Sequence, residues 1–275
     1  MLMALTRKVR LTPRSEIGIM IEAESITPDT FAGKSESELC EITVWQGPRK
    51  VPLAEFFDLE VWDEVGPEEG DGTVEILIDG DVSRVKRIGQ RMTKGKIVIM
   101  GSAGMHLGSE MAGGEILVRG NAGSWAGMNM RGGKIELDGN VGDHTGSAYR
   151  GSWRGMSGGK ILVHGNARSQ VGGGMSGGEI VIEGSVENFC GIRQNGGLIL
   201  VGKDAVRGVG AEMIGGSIAV LGKIHQFAPG FVASGSEKDF ALGEHKVEGE
   251  FAKFLGDYAI SKNPKGTLYV KEGMA

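Results

Sequence analysis

Residues 89–101 read GQRMTKGKIVIMG, and the same phrase returns six more times along the chain. The shared pattern is [Gly/Trp]-x-x-Met-x-x-Gly-x-Ile-x-[Val/Ile/Leu]-x-Gly, with Gln194 and Lys203 in place of the Met and the final Gly in the sixth copy. The other copies occupy residues 108–120, 127–139, 153–165, 172–184, 191–203 and 210–222. A repeat of fixed period determines the architecture before any local pattern is considered.

The closing position of the repeat recurs with a period of about 19 residues, and one longer interval lies between Gly139 and Gly165. A degenerate earlier copy ends at Gly80. Each copy holds an alternation such as Ile97 and Ile99, which has the period of a strand and not of a helix. Identical strands one period apart are predicted to stack in parallel as a β-solenoid. At ~3.3 Å per residue one period traces roughly 60 Å, or three sides of about 20 Å.

The Met position of the repeat is predicted to face inward, because a thioether side chain fills irregular gaps in a core. This column consists of Met92, Met111, Met130, Met156, Met175 and Met213, with Gln194 as the exception. Glycine is expected at the corners, where φ is positive or a neighbour leaves no room for Cβ. A prism this narrow fills with its own side chains and leaves no room for a cofactor.

Composition limits the possible functions. The chain has 275 residues and 49 glycines, of which 37 fall in residues 71–222, so the glycine is periodic and compatible with a packed core. A net charge of −5 argues against a nucleic-acid partner. We expect no signal peptide and no membrane span, since no apolar run approaches the length of about 18 residues that a span needs. Cys40 and Cys190 lack CxxC spacing and fit a reduced cytoplasm.

Residues 1–70 are poor in glycine and rich in aromatic and acidic side chains. They predict a small mixed cap, because the open end of a solenoid exposes unpaired backbone groups. Within this cap we predict a strand over residues 17–21, strands over 42–45 and 50–53 around a turn at Gly47, and a helical turn over 52–57.

Residues 223–275 leave the repeat and are predicted to form an extension that packs on the solenoid or on a partner. The aromatic and apolar residues there have the i, i+3, i+4, i+7 spacing of an amphipathic helix, although two nearby glycines weaken that prediction. They are Phe251, Phe254, Leu255 and Tyr258. Residues 267–271 predict a final strand.

Two features predict contact surfaces. The longer interval contains a seven-residue insertion, and insertions in solenoids leave the stack as loops, often on a binding face. The outward position of each strand forms a column that we call the outward stripe, and it is apolar in six of seven copies: Val98, Leu117, Glu136, Leu162, Val181, Leu200 and Ala219. An apolar stripe of that size rarely faces water on a monomer. We expect residues 223–275 or another subunit to cover the stripe. The candidate interface residues are Tyr149, Arg150, Trp153 and Arg154 in the insertion, and Leu117, Leu162, Val181 and Leu200 in the stripe.

Catalytic and metal-binding motifs are weak. The GxGxxG match at residues 172–177 lies inside the repeat and predicts a cluster of corner glycines, not a dinucleotide site. Two GxSxG matches, around Ser157 and Ser176, follow from repetition, whereas a nucleophile elbow needs one serine at a strand-to-helix turn. No histidine has metal-ligand spacing to another His or Cys, and Asp143-His144 is interpreted as a solvated pair. We therefore predict no catalytic, cofactor or metal site on this chain.

The thirteen-residue phrase with its Met resembles the C subunit of formylmethanofuran dehydrogenase and, more loosely, the glycine-rich C-terminal β-helix of the glutamate synthase large subunit. The repeat carries this resemblance over about half the chain, and the sixth copy departs from it at Gln194 and Lys203. The expected fold is a mainly β, right-handed parallel β-helix with about 19 residues per coil and about 7–8 coils. The expected divisions are a cap at 1–70, the β-helix at 71–222 and the extension at 223–275.

The resemblance implies a structural, cytoplasmic subunit that braces the catalytic subunits of an oxidoreductase complex without an active site of its own. In that family a tungsto- or molybdopterin and [4Fe-4S] clusters lie on a pterin/iron–sulfur subunit and ferredoxin-like subunits. An amidohydrolase-like subunit with a two-metal zinc site then attaches the formate made from CO2 to methanofuran, the first step of methanogenesis. The alternatives are the equivalent subunit of a bacterial formyltransferase/hydrolase complex and a stand-alone glutamate-synthase-type domain. A carbohydrate-active β-helix would need clustered acidic residues on its outer face, where this chain is apolar.

Overall fold

The computed structural model of the chain describes residues 4–66, 73–271 and 273. Its strands are β1 (Ala4–Pro13), β2 (Ile21–Glu22), β3 (Thr43–Gln46), β4 (Arg49–Pro52), β5 (Phe57–Gly66), β6 (Val74–Ile78), β7 (Val85–Lys86), β8 (Lys96–Ile99), β9 (Glu115–Val118), β10 (Lys134–Leu137), β11 (Ser157–Val163), β12 (Ser176–Ile182), β13 (Val186–Asn188), β14 (Asn195–Val201), β15 (Ala205–Arg207), β16 (Gly215–Val220), β17 (Ile224–Gln226), β18 (Val232–Leu242), β19 (His245–Gly256) and β20 (Gly266–Lys271). Two short helices, α1 (Pro28–Phe31) and α2 (Glu36–Cys40), and a 3-10 turn at Leu53–Glu55 complete these ranges. None of these helices has the length and apolar character that crossing a membrane requires.

The chain is mainly β and is organised by one 13-stranded sheet of order β18-β19-β20-β16-β14-β12-β11-β10-β9-β8-β6-β1-β5. From β6 to β16 and on to β20 all neighbours are parallel, and equivalent residues of the repeat are in register. Ile135 still pairs with Ile161 across the longer interval, so the insertion leaves the stack without shifting it. The predicted parallel stacking of strands one period apart is confirmed.

A second parallel ladder runs beside the large sheet. Small apolar residues just after the closing position bridge from one period to the next, and the ladder continues as the sheet β13-β15-β17. The bridged residues are Val82, Ala103, Ala122, Val141, Ala167 and Val186. Every period therefore contributes to two stacked ladders.

The core consists of the inward Ile, Val and Met columns. All the Met residues of the column are fully buried, as is Gln194, so the predicted packing role of the Met column is confirmed. Except at Met213, each Met methyl lies against a positive-φ glycine of the next copy, where a Cβ atom would collide with it. These pairs are Met92/Gly114, Met111/Gly133, Met130/Gly159, Met156/Gly178 and Met175/Gly197.

Polar side chains form a third ladder at the turn that follows each closing position. Asn121 Oδ1 accepts a hydrogen bond from the Asn140 backbone N–H at 2.8 Å, and Asn140 Oδ1 accepts one from the Asn166 N–H at 2.8 Å. Asn166 Oδ1 repeats the contact with the Ser185 N–H at 2.8 Å. Because the turn leaves these N–H groups outside the strand ladders, the asparagines supply the acceptors they need.

The N-terminal region extends the large sheet and adds a small one. β1 pairs in parallel with β6 and antiparallel with β5, which forms the edge. The predicted hairpin around Gly47 is confirmed as β3 and β4, and the helical turn is the 3-10 turn. The strand predicted over residues 17–21 is wrong except for Ile21, because its partner β7 is only two residues long and the ladder ends there. The predicted boundary between residues 70 and 71 lies outside the described residues.

The prediction of a helix around residues 251–258 is wrong, because most of this segment belongs to β19. The predicted final strand over residues 267–271 is confirmed as β20. β19 pairs antiparallel with both β18 and β20. Phe251 and Phe254 point to opposite faces of β19. Phe251 packs in a cluster with Tyr269, and the ring centroids of Phe254 and Phe227 are 4.7 Å apart. The helical spacing is overridden because β20 offers this segment a complete row of backbone partners.

The Met–glycine contact gives a stability prediction. Gly133→Ala is expected to lower the free energy of unfolding by about 3 kcal/mol, from a strained positive φ and an overpacked core. The new Cβ would lie 2.7 Å from both the Met111 methyl and the Gly114 carbonyl oxygen, at a φ of 81°. Gly47→Ala is the control, since its φ is 57° with nothing within 4 Å, and should cost about 1 kcal/mol. Urea denaturation of both variants measures the difference, and equal losses would contradict the packing argument.

The exception in the Met column gives a second prediction. Gln194 Nε2 donates to the carbonyl oxygens of Gly196 and Gly197 at 3.1 Å, but within the described residues its buried Oε1 has no donor. Gln194→Met removes this unpaired acceptor and should raise the free energy of unfolding by about 1 kcal/mol. Met130→Gln should lower it by about 2 kcal/mol. Thermal melts of the two variants check the opposite signs, and a destabilised Gln194→Met protein would show that the amide contacts dominate.

Candidate interaction surfaces

The insertion is a loop whose two ends are hydrogen-bonded to the following period. The Ala148 N–H donates to Gly173 O at 2.8 Å, and the Gly155 N–H donates to Gly174 O at 2.8 Å. The Tyr149 N–H donates to Asn129 Oδ1 of the preceding period at 3.1 Å. The loop is therefore fixed at its base while its tip projects from the stack.

The four predicted loop residues are exposed and lie together. Trp153 is 69% exposed and Tyr149 is 56% exposed, and Arg150 and Arg154 are exposed beside them. The Arg193 guanidinium carbon lies 4.5 Å from the centroid of the Trp153 ring. This contact holds a large apolar ring at the surface in a defined place.

A column of stacked rings supports the loop from below. The Trp125 ring stacks on His144 at 4.0 Å between centroids and on His106 at 6.0 Å, with Tyr149 at 6.4 Å. The Arg150 guanidinium carbon is 6.0 Å from the Trp125 ring centroid.

The interpretation of Asp143-His144 as a solvated pair is wrong, because the His144 ring is half-buried in this stack and its burial lowers its pKa. The three stacked rings lie one period apart in the sequence, so the repeat already contained this signal.

The chain's own tail covers the C-terminal half of the outward stripe. Leu200 is 9% exposed and Ala219 is buried, and both lie in a cluster with residues of β18, β19 and β20, with Val181 packed against it. The covering side chains are Leu242, Val247, Phe251 and Tyr269. Leu200 is therefore not available to a partner.

Two polar contacts fasten the tip of this β18–β19 hairpin. His245 Nε2 lies 2.7 Å from Glu179 Oε1, and the Lys160 ammonium contacts the Glu244 carboxylate. The hairpin thus reaches the strands β11 and β12, and Val181 is the stripe residue at the limit of its apolar contacts.

The N-terminal half of the stripe carries charge around its apolar residues. Val98, Leu117 and Leu162 are half-buried by their neighbours, and Glu136 interrupts the stripe. Lys134 Nζ lies 2.7 Å from a Glu136 oxygen and 3.6 Å from a Glu115 oxygen.

Glu136, Asp138 and His164 place potential metal-ligand atoms within 4.8 Å of one another at the surface. His164 Nε2 is 3.3 Å from Glu136 and Nδ1 is 3.0 Å from Glu183. Hydrogen bonds to Glu183 and then Glu136 raise the pKa of His164, while Lys134 and then His164 lower the pKa of Glu136. With a carboxylate at each ring nitrogen, the geometry favours the imidazolium form, which has no free lone pair for a metal.

Comparison with curated proteins finds near full-length relatives. The chain is 64% identical over 265 residues to the C subunit of a molybdenum-containing formylmethanofuran dehydrogenase 1 from Methanosarcina barkeri, covering 96% of this chain and 86% of that one. It is 61% identical over 266 residues to the C subunit of a tungsten-containing formylmethanofuran dehydrogenase 2 from Methanothermobacter thermautotrophicus, covering 97% of both.

The chain belongs to the family of formylmethanofuran dehydrogenase C subunits. A scan against models of protein families finds no match. Among solved structures, a chain in the crystal structure of the formyltransferase/hydrolase complex FhcABCD from Methylorubrum extorquens, in complex with methylofuran, superposes with a TM-score of 0.80. The two chains are 26% identical, and the match covers 95% of this family member and 99% of the other chain.

The electrostatics of His164 give a pH prediction for this member of the family. Its raised pKa means that its ion pairs stabilise the fold below about pH 6.5, the ordinary histidine value, and that this contribution is lost as pH rises through the folded pKa. His164→Gln should therefore be less stable than the wild type near about pH 5.5 and equally stable near about pH 8.5. Thermal melts across this range check the sign, and an NMR titration of the His164 ring checks the assignment. A difference that grows with pH would contradict it.

Proposed function

We propose that this chain is the non-catalytic structural subunit of a formylmethanofuran dehydrogenase complex and braces its catalytic subunits. The observation that supports this most is the filled interior, where Met methyls of one period lie against glycine backbone of the next. Such an interior offers no space for a substrate or cofactor, so function has to lie on the outer surface. The near full-length identity to C-subunit relatives agrees with this role.

The proposed architecture is a right-handed parallel β-helix with about 19 residues per coil and about 7–8 coils. It is supported by the two ladders in every period and by backbone hydrogen bonds between successive periods. One example is the Arg119 N–H, which donates at 2.9 Å to Ile99 O of the preceding coil. We propose the divisions 1–70, 71–222 and 223–275, with the first as a cap and the last as a cover over part of the outward stripe.

We propose that the metal centres of the complex reside on other subunits. The chain is about equally similar to relatives whose names specify molybdenum and tungsten, at 64% and 61% identity. A chain that ligated the metal would be expected to differ between the two, since ligand sets are tuned to the metal. The proposed partners are an amidohydrolase-like subunit with a two-metal zinc site, a pterin/iron–sulfur subunit and ferredoxin-like subunits with [4Fe-4S] clusters.

The proposed contact surfaces are the insertion loop, with Tyr149, Arg150, Trp153 and Arg154, and the open half of the stripe around Leu117 and Leu162. Tyr, Trp and Arg are the residue types enriched at interface anchors.

We propose a cytoplasmic location, supported by Cys40 and Cys190, which are both free thiols. Burial raises the pKa of the Cys190 thiol to about 12, as for a packing residue and not a reactive one. Free cysteines are typical of a reducing compartment, where disulfides do not persist.

The second candidate is a subunit of a formyltransferase/hydrolase complex, which the TM-score of 0.80 favours. The identity to that chain is 26%, against 57–64% for the full-length dehydrogenase relatives, so the dehydrogenase complex is preferred. The content of redox metal separates the two, because the dehydrogenase relatives are named for molybdenum or tungsten.

Purification of the tagged chain from its native host tests the proposal. We expect a large assembly in size-exclusion chromatography that contains molybdenum or tungsten, iron and zinc by mass spectrometry, while the isolated chain binds none. The double variant Tyr149→Ser/Trp153→Ser should weaken recovery of partners by about tenfold or more, as for loss of interface anchors. Tyr258→Ser, at a residue 43% exposed outside the loop, is the control. A solitary metal-binding monomer would contradict the proposed function.

A further inference from the structure

A groove of about 650 Å³ runs beside the insertion loop across several periods of the stack. Trp153 and Arg154 form its rim on the loop side. Its floor is polar and is formed by Asn129, Arg131, Ser157, Ser176 and Asn195. None of the described residues that line it is acidic.

The floor is regular because its residues occupy equivalent places in successive periods. Arg131, Ser157, Ser176 and Asn195 each follow directly after the Met column position. The Ser157 N–H donates to Met130 O, and the Ser176 N–H donates to Met156 O, both at 2.8 Å, which sets one residue above the next. At about 4.8 Å per period the four positions present polar side chains over roughly 15 Å, the length of four or five extended residues.

The groove is positive although the chain as a whole carries a net charge of −5. Within the described residues neither Arg131 nor Arg154 has an ion-pair partner, and both are exposed. The acidic residues of the neighbouring column, Glu110 and Glu212, are each paired with an arginine one period away. The positive charges of Arg131 and Arg154 are therefore available to an external partner.

We propose that this groove binds an extended acidic segment of a partner polypeptide, with Arg131 and Arg154 contacting its carboxylates. A guanidinium matches a carboxylate through two parallel hydrogen bonds, and the hydroxyl and amide groups of the floor can donate to further oxygens. Trp153 at the rim supplies an apolar surface for the stem of the segment. This inference rests on the proposed function, which requires partner chains around this subunit.

A polypeptide is favoured over a nucleic acid by the charges outside the groove. The residues directly before the Met position form a neighbouring column, to which Glu110 and Glu212 belong. In that column Glu110 lies one period before the groove residue Asn129, and Glu212 lies one period after Arg193. A phosphate backbone longer than the groove would pass over these carboxylates and over a chain of net negative charge. A short acidic segment needs only the two arginines and the polar floor between them.

The test is fluorescence anisotropy of fluorescein-labelled hexaglutamate with the full chain. We expect saturable binding that weakens with salt and becomes at least tenfold weaker in Arg131→Gln/Arg154→Gln. Arg119→Gln, at an exposed arginine that directly follows β9 and is paired with Asp138, is the matched control and should bind as the wild type does. Arg131→Lys/Arg154→Lys should bind with intermediate affinity because it keeps the charge and loses the fork. Melting temperatures of all variants confirm that they are folded.

Several results would overturn the inference. Equal hexaglutamate affinity of the double variant and Arg119→Gln would show that the groove is not the binding site. Equal or stronger binding of inorganic phosphate or a short oligothymidylate would show a general anion surface.

The native assembly separates failure of the groove from failure of the proposed function. There the double variant should release partners at lower salt than the wild type. If the wild type co-purifies with partners and the groove variant behaves identically, the groove proposal fails and the proposed function stands. If the wild type purifies alone, the proposed function fails instead.

Discussion

Close approach of backbone between adjacent periods is the constraint on which the structure depends. The parallel ladder sets the spacing between copies, and at that spacing the Met methyl of one copy occupies the place where the next copy would carry a Cβ. Met111 and Gly133 show the contact, and the position allows only glycine because φ is positive there as well. The glycine content of the chain is therefore not a source of flexibility. It allows long, flexible Met side chains to pack closely in a narrow interior.

The proposed function lies on the outer surface, and that surface is not uniform. The β18–β19 hairpin covers the stripe around Leu200 and Val181, and its tip is fastened at Lys160 and Glu179. Beyond that tip the stripe is interrupted by Glu136, which is held by Lys134. The apolar half is thus used within the chain, and the half that remains open mixes apolar residues with ion pairs, as exposed interface surfaces do.

The sequence predicts those parts of the fold that are specified by the same residue types in every copy of the repeat. Period, parallel register, buried Met column and looped-out insertion all follow from residues that recur at a fixed interval. The errors in secondary structure fall where the repeat ends. Phe251 and Phe254 have helical spacing, but the free edge of β20 imposes a strand, and that pairing partner is visible only in three dimensions. Similarly, residues 17–21 have strand propensity, but their partner β7 is two residues long.

The exposed loop follows from the sequence, whereas the base that supports it becomes visible only when the register is known. Trp125 and His144 lie one period apart, so their rings stack at 4.0 Å as a consequence of the same register that aligns the core. A repeat therefore generates outward columns as regularly as inward ones, and an outward column gives an inserted loop a preformed base. The loop adds its aromatic and arginine residues to that base and remains fixed at both ends. In such an architecture a new contact surface requires only a short insertion, because the rigidity that an interface needs is already supplied by the stack.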